Sequence, residues 1–193
     1  MKKRKFPVAL ALGAALVFLS FAIMAAQQIR VWIGNQNCKE TTARMESLLP
    51  ERSHGLPEGY SNPNMPTLEI DGVNYVALVE IPALGVRLPV ADTWDTGRLY
   101  DSPARFYGSA YNHTLVIGGE DNANQFGFCD SVDQGVTVIV TDMTGTQFTY
   151  RVAYVERSNT AESQWLAGSD YDLTLFCRGA FSTEYIAVRC EFA

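Results

Sequence analysis

The chain begins with an uncharged apolar stretch, residues 6–26, that constrains its fold more than any other feature. A helix rises about 1.5 Å per residue, so a stretch of this length can cross a bilayer core about 30 Å thick. Its residues are apolar on every face, unlike those of a helix at the surface of a soluble domain. We therefore predict a transmembrane anchor over residues 6–26, preceded by a short tip at residues 1–5.

Charge indicates the orientation of this anchor. Residues 2–5 are all Lys or Arg, whereas all 21 Asp and Glu residues of the chain lie beyond the anchor. Basic residues beside a span stay on the cytoplasmic side, so we expect a single-pass protein of the cell membrane with a cytoplasmic N-terminus and an extracytoplasmic body. An acidic body lacks the basic surface that nucleic-acid binding requires, so no nucleic-acid partner is expected.

A cleaved signal peptide is the alternative to an anchor. Signal peptides have an apolar region of about 7–15 residues that ends in a small-x-small cleavage site. The stretch here is longer, and Ala25 and Ala26 follow Ile23 and Met24, which form a poor cleavage site. An uncleaved anchor is therefore the favoured interpretation.

The composition changes twice beyond the anchor. Residues 27–66 are interpreted as a stalk and linker: the first half is able to continue the helix, and six Pro and Gly residues between 50 and 66 exclude a long helix there. From residue 67 onward, β-branched and aromatic runs alternate with turn residues, and Asp71-Gly72 predicts a tight hairpin. Six to eight short strands over residues 67–193 predict an all-β barrel or sandwich. A short helix is expected near Asp101–Phe106.

Four cysteines lie beyond the anchor, and three disulfide pairings among them are possible in an exported protein. They are Cys38, Cys129, Cys177 and Cys190. Cys177 differs from the others because it ends a predicted strand and opens into a tight loop, where a nucleophile can be both fixed and exposed. The chain has two histidines and no CxxC or HExxH motif, so no metal site and no cofactor are expected.

Five stretches of the β-rich region occur in an order that resembles a known family. They are IPALGVRLPV at 81–90, HTLVIGG at 113–119, the hairpin runs at 135–152, TLFC at 174–177 and the strand at 185–189. Together with the N-terminal anchor, they resemble the sortases, membrane-anchored cysteine transpeptidases of the Gram-positive surface. TLFC is similar to the TLxTC motif of that family.

The resemblance implies a fold, a reaction and partners. The fold would be a closed eight-stranded β-barrel with short helices, behind the transmembrane helix. The family's cysteine attacks the Thr-Gly bond of a sorting signal in a surface protein or pilin and forms a thioacyl enzyme. An amine of a peptidoglycan cross-bridge or of a pilin lysine then resolves this intermediate.

The residues expected to support that chemistry depart from the family pattern. Glu120 stands where the family has its histidine, and His113 lies seven residues upstream, on the order of 20 Å away along a straight strand. Glutamate would raise the pKa of a nearby thiol, and its ordinary pKa of about 4.3 leaves it no proton to donate near neutral pH.

The cysteine motif is also one residue short. Aligned without a gap, Cys177 takes the motif's threonine position and Arg178 takes that of the nucleophile; with a gap, Cys177 is the nucleophile. The family's arginine falls on Tyr185 or Ile186. Arg178 and Arg189 are therefore the candidate oxyanion stabilisers, although Arg189 lies roughly 13 Å further along its strand than Tyr185.

Two hypotheses follow from the sequence. The first is an atypical transpeptidase with Cys177 as nucleophile, Arg178 or Arg189 at the oxyanion, and Glu120 or His113 as base. The second is a non-catalytic protein of the same fold that binds a peptide or a surface-protein partner, in which Cys177 is structural or bonded to another cysteine such as Cys190. Because an imidazole both activates the thiol and protonates the leaving amine, its absence favours the second. The groups within hydrogen-bond reach of the Cys177 sulfur discriminate between the two.

Overall fold

A long N-terminal helix leads into the β domain. The computed structural model describes residues 8–54, 63–160, 163–167, 170–179 and 183–193. Helix α1 spans Val8–Leu48 without a break. Its first half is fully exposed, and among the described residues it is the one helix long and apolar enough to cross a membrane. The predicted tip, residues 1–5, lies outside the described residues.

Ten strands and one short helix, α2, follow α1. In chain order they are β1 (Ser53–His54), β2 (Leu68–Ile70), β3 (Val73–Ile81), β4 (Val86–Ala91), β5 (Ala104–Tyr107), β6 (Leu115–Glu120), β7 (Thr137–Asp142), β8 (Thr146–Ser158), α2 (Ser163–Ala167), β9 (Leu173–Arg178) and β10 (Tyr185–Phe192). Two 3-10 turns, Pro82–Leu84 and Ala110–Asn112, connect strands.

Eight of these strands close into a barrel. The order is β3-β4-β5-β6-β9-β10-β8-β7, and β7 pairs with β3 to complete the ring. The β4–β5 and β6–β9 pairs are parallel and the others are antiparallel. β2 and β1 lie outside the ring, paired with β3 and β8. The predicted closed eight-stranded barrel is therefore confirmed.

The local turn chemistry explains one prediction and corrects another. Asp71 and Gly72 both have positive φ, 52° and 76°, as the tight turn between β2 and β3 requires. The helix expected near Asp101–Phe106 is wrong. Residues 104–107 form β5 instead, because their backbone groups pair with β6 in a register that includes Ala104 opposite Gly118.

The second half of α1 packs against the barrel. Cys38 and Met45 are buried there, and Gly34 lies so close to the Tyr100 carbonyl that any Cβ would overlap it. Arg44 forms an ion pair with Asp71 at 2.6 Å. The second half of α1 therefore packs directly on the barrel, and β1 fixes part of the predicted linker along β8.

Candidate functional site

Three neighbouring strands carry the residues to which the sequence assigns chemistry. β9 lies between β6 and β10, and its pairing with both is continuous from Leu173 to Arg178. No bulge interrupts this register, so side chains alternate strictly between the barrel interior and the outside. We call the outward side of β6, β9 and β10 the outer face.

Cys177 belongs to the interior and not to the outer face. It is 1% exposed and packs in the main core with Leu173 and Leu175. Its Sγ donates to the Phe126 carbonyl at 3.7 Å, and the same carbonyl accepts from the Cys129 N–H at 3.0 Å. Within the part of the chain that the structure describes, these partners include no imidazole and no guanidinium, which are the groups that would activate a thiol or bind an oxyanion.

Arg178 and Glu120 stand side by side on the outer face. They are direct partners in the parallel β6–β9 register, and both are exposed. The Glu120 backbone holds a tight turn: its N–H donates to Gln125 Oε1 at 3.0 Å, and its carbonyl accepts from the Phe126 N–H at 3.0 Å. On the other side of Arg178, Tyr185 is its partner in β10.

Arg189 also faces outward, but it is buried, with 1% of its surface exposed. Its guanidinium donates to the carbonyls of Trp165 at 2.7 Å and Leu166 at 3.1 Å, and to Thr174 Oγ1 at 3.0 Å. It also pairs with Glu156 at 2.9 Å and lies 5.0 Å from the centre of the Trp165 ring. These contacts fasten α2 onto the sheet.

The groups around Arg189 shift the pKa of Glu156. Burial alone would raise it, but hydrogen bonds with Trp165 and Arg189, together with the Arg189 charge, outweigh burial and hold the pKa below its ordinary value. Arg189 lies opposite Thr174 in the β9–β10 register, which is four residues, or about 13 Å, along the strand from Arg178. The structure therefore does not bring the two arginines together.

Aromatic side chains cover the middle of the outer face. The rings of Trp94, Phe106 and Phe176 have centroids 5.2–5.5 Å apart and form what we call the aromatic cluster. It rests on Gly118, where a Cβ would stand 2.6 Å from Phe176 Cζ and would also overlap the Trp94 ring. Leu166 of α2 is buried and covers the adjoining part of the sheet, where it forms one cluster with Val116 of β6 and Ala187 of β10. Among the described residues, the end of the outer face at Glu120, Arg178 and Tyr185 is the part that these groups leave uncovered.

The two histidines lie away from this end. His113 precedes β6, at the end of that strand opposite to Glu120, and its Nδ1 is 3.4 Å from Asp172 Oδ1. Its ring meets Phe192 edge-on at 4.9 Å. His54 is exposed on β1. Among the described residues no group of three His, Cys, Asp or Glu side chains is arranged to hold a metal ion.

Sequence reasoning missed the residues that occupy the outer face. Trp94 and Phe106 lie in the polar segment between β4 and β6, which gives no strong periodic signal. Glu156 lies opposite Ala187 in the β8–β10 register. This pairing, which the sequence alone does not reveal, brings Glu156 next to Arg189. The adjacent glycines at 118 and 119 were the available signal, because a glycine within a strand indicates close approach of a neighbouring group.

Known structures have the same architecture. Sortase A from Corynebacterium diphtheriae matches with a TM-score of 0.56 and 22% identity over 63% of this chain and 61% of that chain. Sortase C1 from Streptococcus agalactiae matches with a TM-score of 0.55 and 20% identity over 65% of this chain and 70% of that chain. The chain has a sortase fold. A Clostridium perfringens sortase C, solved with the C-terminal cell wall sorting motif, matches with a TM-score of 0.52 and 19% identity over 60% of this chain and 69% of that chain.

The likeness is one of fold. No protein-family model matches the sequence, and no curated protein matches it. The chain spans about three fifths of the Corynebacterium sortase A that it resembles. The fold expected from the ordered motifs is confirmed, and function has to be argued from the site.

Proposed function

We propose that this protein is a membrane-anchored, non-catalytic sortase-fold protein that binds a peptide of a surface protein or pilin at the exposed end of its outer face. The observation that carries the proposal is the direction of Cys177. Its sulfur is buried in the barrel interior, whereas Arg178 and Glu120 occupy the adjacent outward positions. A thiol must be exposed and partly ionised to attack a peptide carbonyl.

The exposed end offers binding chemistry in place of catalysis. Arg178 presents a planar, permanently charged donor group, Glu120 presents an acceptor, and Tyr185 adds a half-buried ring. Such a set recognises a short segment that carries both a carboxylate and a donor group. Because the fold resembles that of the sortases, we expect the bound peptide to be a sorting signal. The anchor would keep the barrel at the outer surface of the cell membrane, with the N-terminus in the cytoplasm.

The test of catalysis uses the full chain purified in detergent micelles. We expect no cleavage of a sorting-signal peptide that contains a Thr-Gly bond, with or without a pilin-type or peptidoglycan-type amine, when products are followed by mass spectrometry. Cys177→Ala is expected to give the same result. Cleavage that requires Cys177 would overturn the proposal and establish the transpeptidase, with Glu120 as the first residue to examine as its base.

The test of binding uses the same protein and a fluorescently labelled sorting-signal peptide. Arg178→Ala is expected to weaken binding roughly 5- to 20-fold, because charge-assisted hydrogen bonds contribute about 1–2 kcal/mol at a partly exposed site. Arg151→Ala is the matched control, since Arg151 is an exposed arginine in the middle of β8, opposite Glu191 near the C-terminal end of β10. Equal binding by wild type and Arg178→Ala would exclude this end of the outer face as the site.

Membrane topology is tested separately. A reporter that is active only outside the cytoplasm is expected to work when fused after Ala193, and one that is active only inside is expected to work at the N-terminus. The reverse pattern would contradict the proposed orientation.

A further inference from the structure

Three of the four cysteines lie inside the barrel. Cys129 and Cys177 are each 1% exposed, and Cys190 is fully buried. Cys129 belongs to the connection between β6 and β7, residues 121–136, whereas Cys177 is near the end of β9. The connection folds inward beneath β6, where the Phe126 ring meets the backbone of Gly119.

Cys129 and Cys177 meet at a single acceptor. The Phe126 carbonyl accepts a hydrogen bond from the Cys129 N–H at 3.0 Å and another from Cys177 Sγ at 3.7 Å. The Cys177 thiol also raises the pKa of the Cys129 thiol, as a group close to it would. The sulfurs are therefore neighbours, held by a strand on one side and by a hydrogen-bonded turn on the other.

The alternative partners of Cys177 are excluded by geometry. Cys190 lies opposite Leu173 in the β9–β10 register, while Cys177 lies opposite Ile186. This offset of four residues separates them by about 13 Å along the sheet, whereas the Cα atoms of a disulfide are about 4.4–6.8 Å apart. Cys38 is on α1, at the outside of the barrel, where its carbonyl accepts from the Thr42 hydroxyl.

We propose that Cys129 and Cys177 form a disulfide bond in the exported protein. Two S–H bonds are broken and one S–S bond is formed. The two electrons and two protons pass to the disulfide of an exported thiol oxidoreductase, or of oxidised glutathione in vitro, which is reduced to two thiols. The bond closes a loop of about 50 residues and ties the β6–β7 connection to β9.

Burial indicates when this bond forms. It raises the pKa of the Cys129 thiol well above its ordinary value, and the neighbouring Cys177 thiol raises it further. The Cys129 thiolate is therefore scarce in the folded barrel. Because Cys129 and Cys177 are also each 1% exposed, an oxidant has little access to them there, and we expect oxidation during folding, before the barrel closes around the two sulfurs.

The bond is detected by peptide mapping of the full chain. Membranes from cells that express the protein with its anchor are denatured in the presence of an alkylating reagent and without a reductant, and then digested with trypsin. Cleavage after Arg and Lys places Cys129 in peptide 106–151, Cys177 in 158–178 and Cys190 in 190–193. We expect peptides 106–151 and 158–178 to be joined, with Cys38 and Cys190 alkylated.

Matched variants and a second preparation make the result decisive. Cys38→Ser is expected to leave the joined peptides intact, and Cys129→Ser to abolish them and leave Cys177 open to alkylation. Protein refolded in micelles from guanidinium with oxidised and reduced glutathione should give the same linkage. Its Tm should fall by roughly 10 °C on full reduction. A link between peptides 158–178 and 190–193, or four alkylated cysteines in both preparations, would overturn the proposal.

Discussion

The two faces of β9 place neighbouring residues in opposite environments. The inward residues Leu173, Leu175 and Cys177 pack into the apolar core. The outward residues differ from one another. Thr174 accepts a hydrogen bond from Arg189, Phe176 belongs to the aromatic cluster, and Arg178 lies at the exposed end of the outer face. Because a strand alternates its side chains, an offset of one residue is enough to move the thiol from the outside of the barrel to its interior. The fold is therefore present, while the sulfur of Cys177, the candidate nucleophile, lies in the barrel interior.

The two arginines on the outer face extend this comparison. Arg189 is buried, and its donors are engaged by carbonyls of α2, by Thr174 and by Glu156. Arg178 is exposed at the other end of β9. Each is a candidate oxyanion group by sequence, but burial gives them different roles. Arg189 is engaged in contacts within the protein, and Arg178 is exposed to solvent.

Replacement of Arg189 should give the largest loss of stability. Arg189→Ala removes the donor for two carbonyls of α2 and leaves Glu156 without its ion-pair partner. We expect a loss of about 2–4 kcal/mol in the free energy of unfolding, reduced from the value for a fully buried pair because Glu156 is partly exposed. Denaturant melts of the full chain in micelles measure it. Arg178→Ala, the control on the same face, should change stability by less than about 1 kcal/mol. An equal loss in both variants would contradict the distinction between the two arginines.

Gly118→Ala should give the next largest effect. The new Cβ would overlap the rings of Phe176 and Trp94, and overpacking of this kind costs about 1–3 kcal/mol. The same substitution at Gly72 is not a suitable control, because its positive φ adds strain. The better control is the double variant with Trp94→Ala, which removes the overlap with Trp94 and leaves that with Phe176. In a double-mutant cycle the two changes should be clearly non-additive, whereas additive losses would show that Trp94 does not cover Gly118.

The architecture was accessible from sequence because its signals are local. β-Branched and aromatic runs between turn residues indicate strands, and Asp71-Gly72 fixes one hairpin. β5 was missed because it is four residues long and pairs mainly with β6, which is a tertiary contact. The ordered motifs then indicated the barrel, since they specify which strands are neighbours.

The direction of Cys177 was not accessible from sequence. Residues 173–177 are all buried, because one side of β9 faces the core and the other is covered by Trp94, Phe106 and α2. A strand that is buried on both faces shows no alternation of polar and apolar residues, so the pattern does not mark the inner side. Only the register with β6 and β10 decides it. The same covering explains why Arg189 looks like a catalytic residue in the sequence and is a structural one in the fold.

The pH dependence of the free energy of unfolding should reflect the ion pair between Glu156 and Arg189. The pKa of Glu156 is below its ordinary value of 4.5 in the folded protein. A depressed folded-state pKa contributes stability that is complete above the unfolded value and is lost as the pH falls below it. Glu156→Gln is therefore expected to flatten the fall in stability below about pH 4.5. Thermal melts between pH 3 and 7 measure this, and Glu191→Gln on the exposed end of β10 is a control that should keep the wild-type slope.

The smallest effect is expected between Glu120 and Arg178. They are adjacent in the parallel register and both are exposed, so water screens their attraction. A double-mutant cycle of Glu120→Ala and Arg178→Ala should give a coupling of about 0.2–1 kcal/mol in the free energy of unfolding. A coupling much above that would mean that the two side chains form a desolvated pair. Arg178 would then be committed to the protein as Arg189 is, and the exposed end of the outer face would lose the group proposed to bind a peptide.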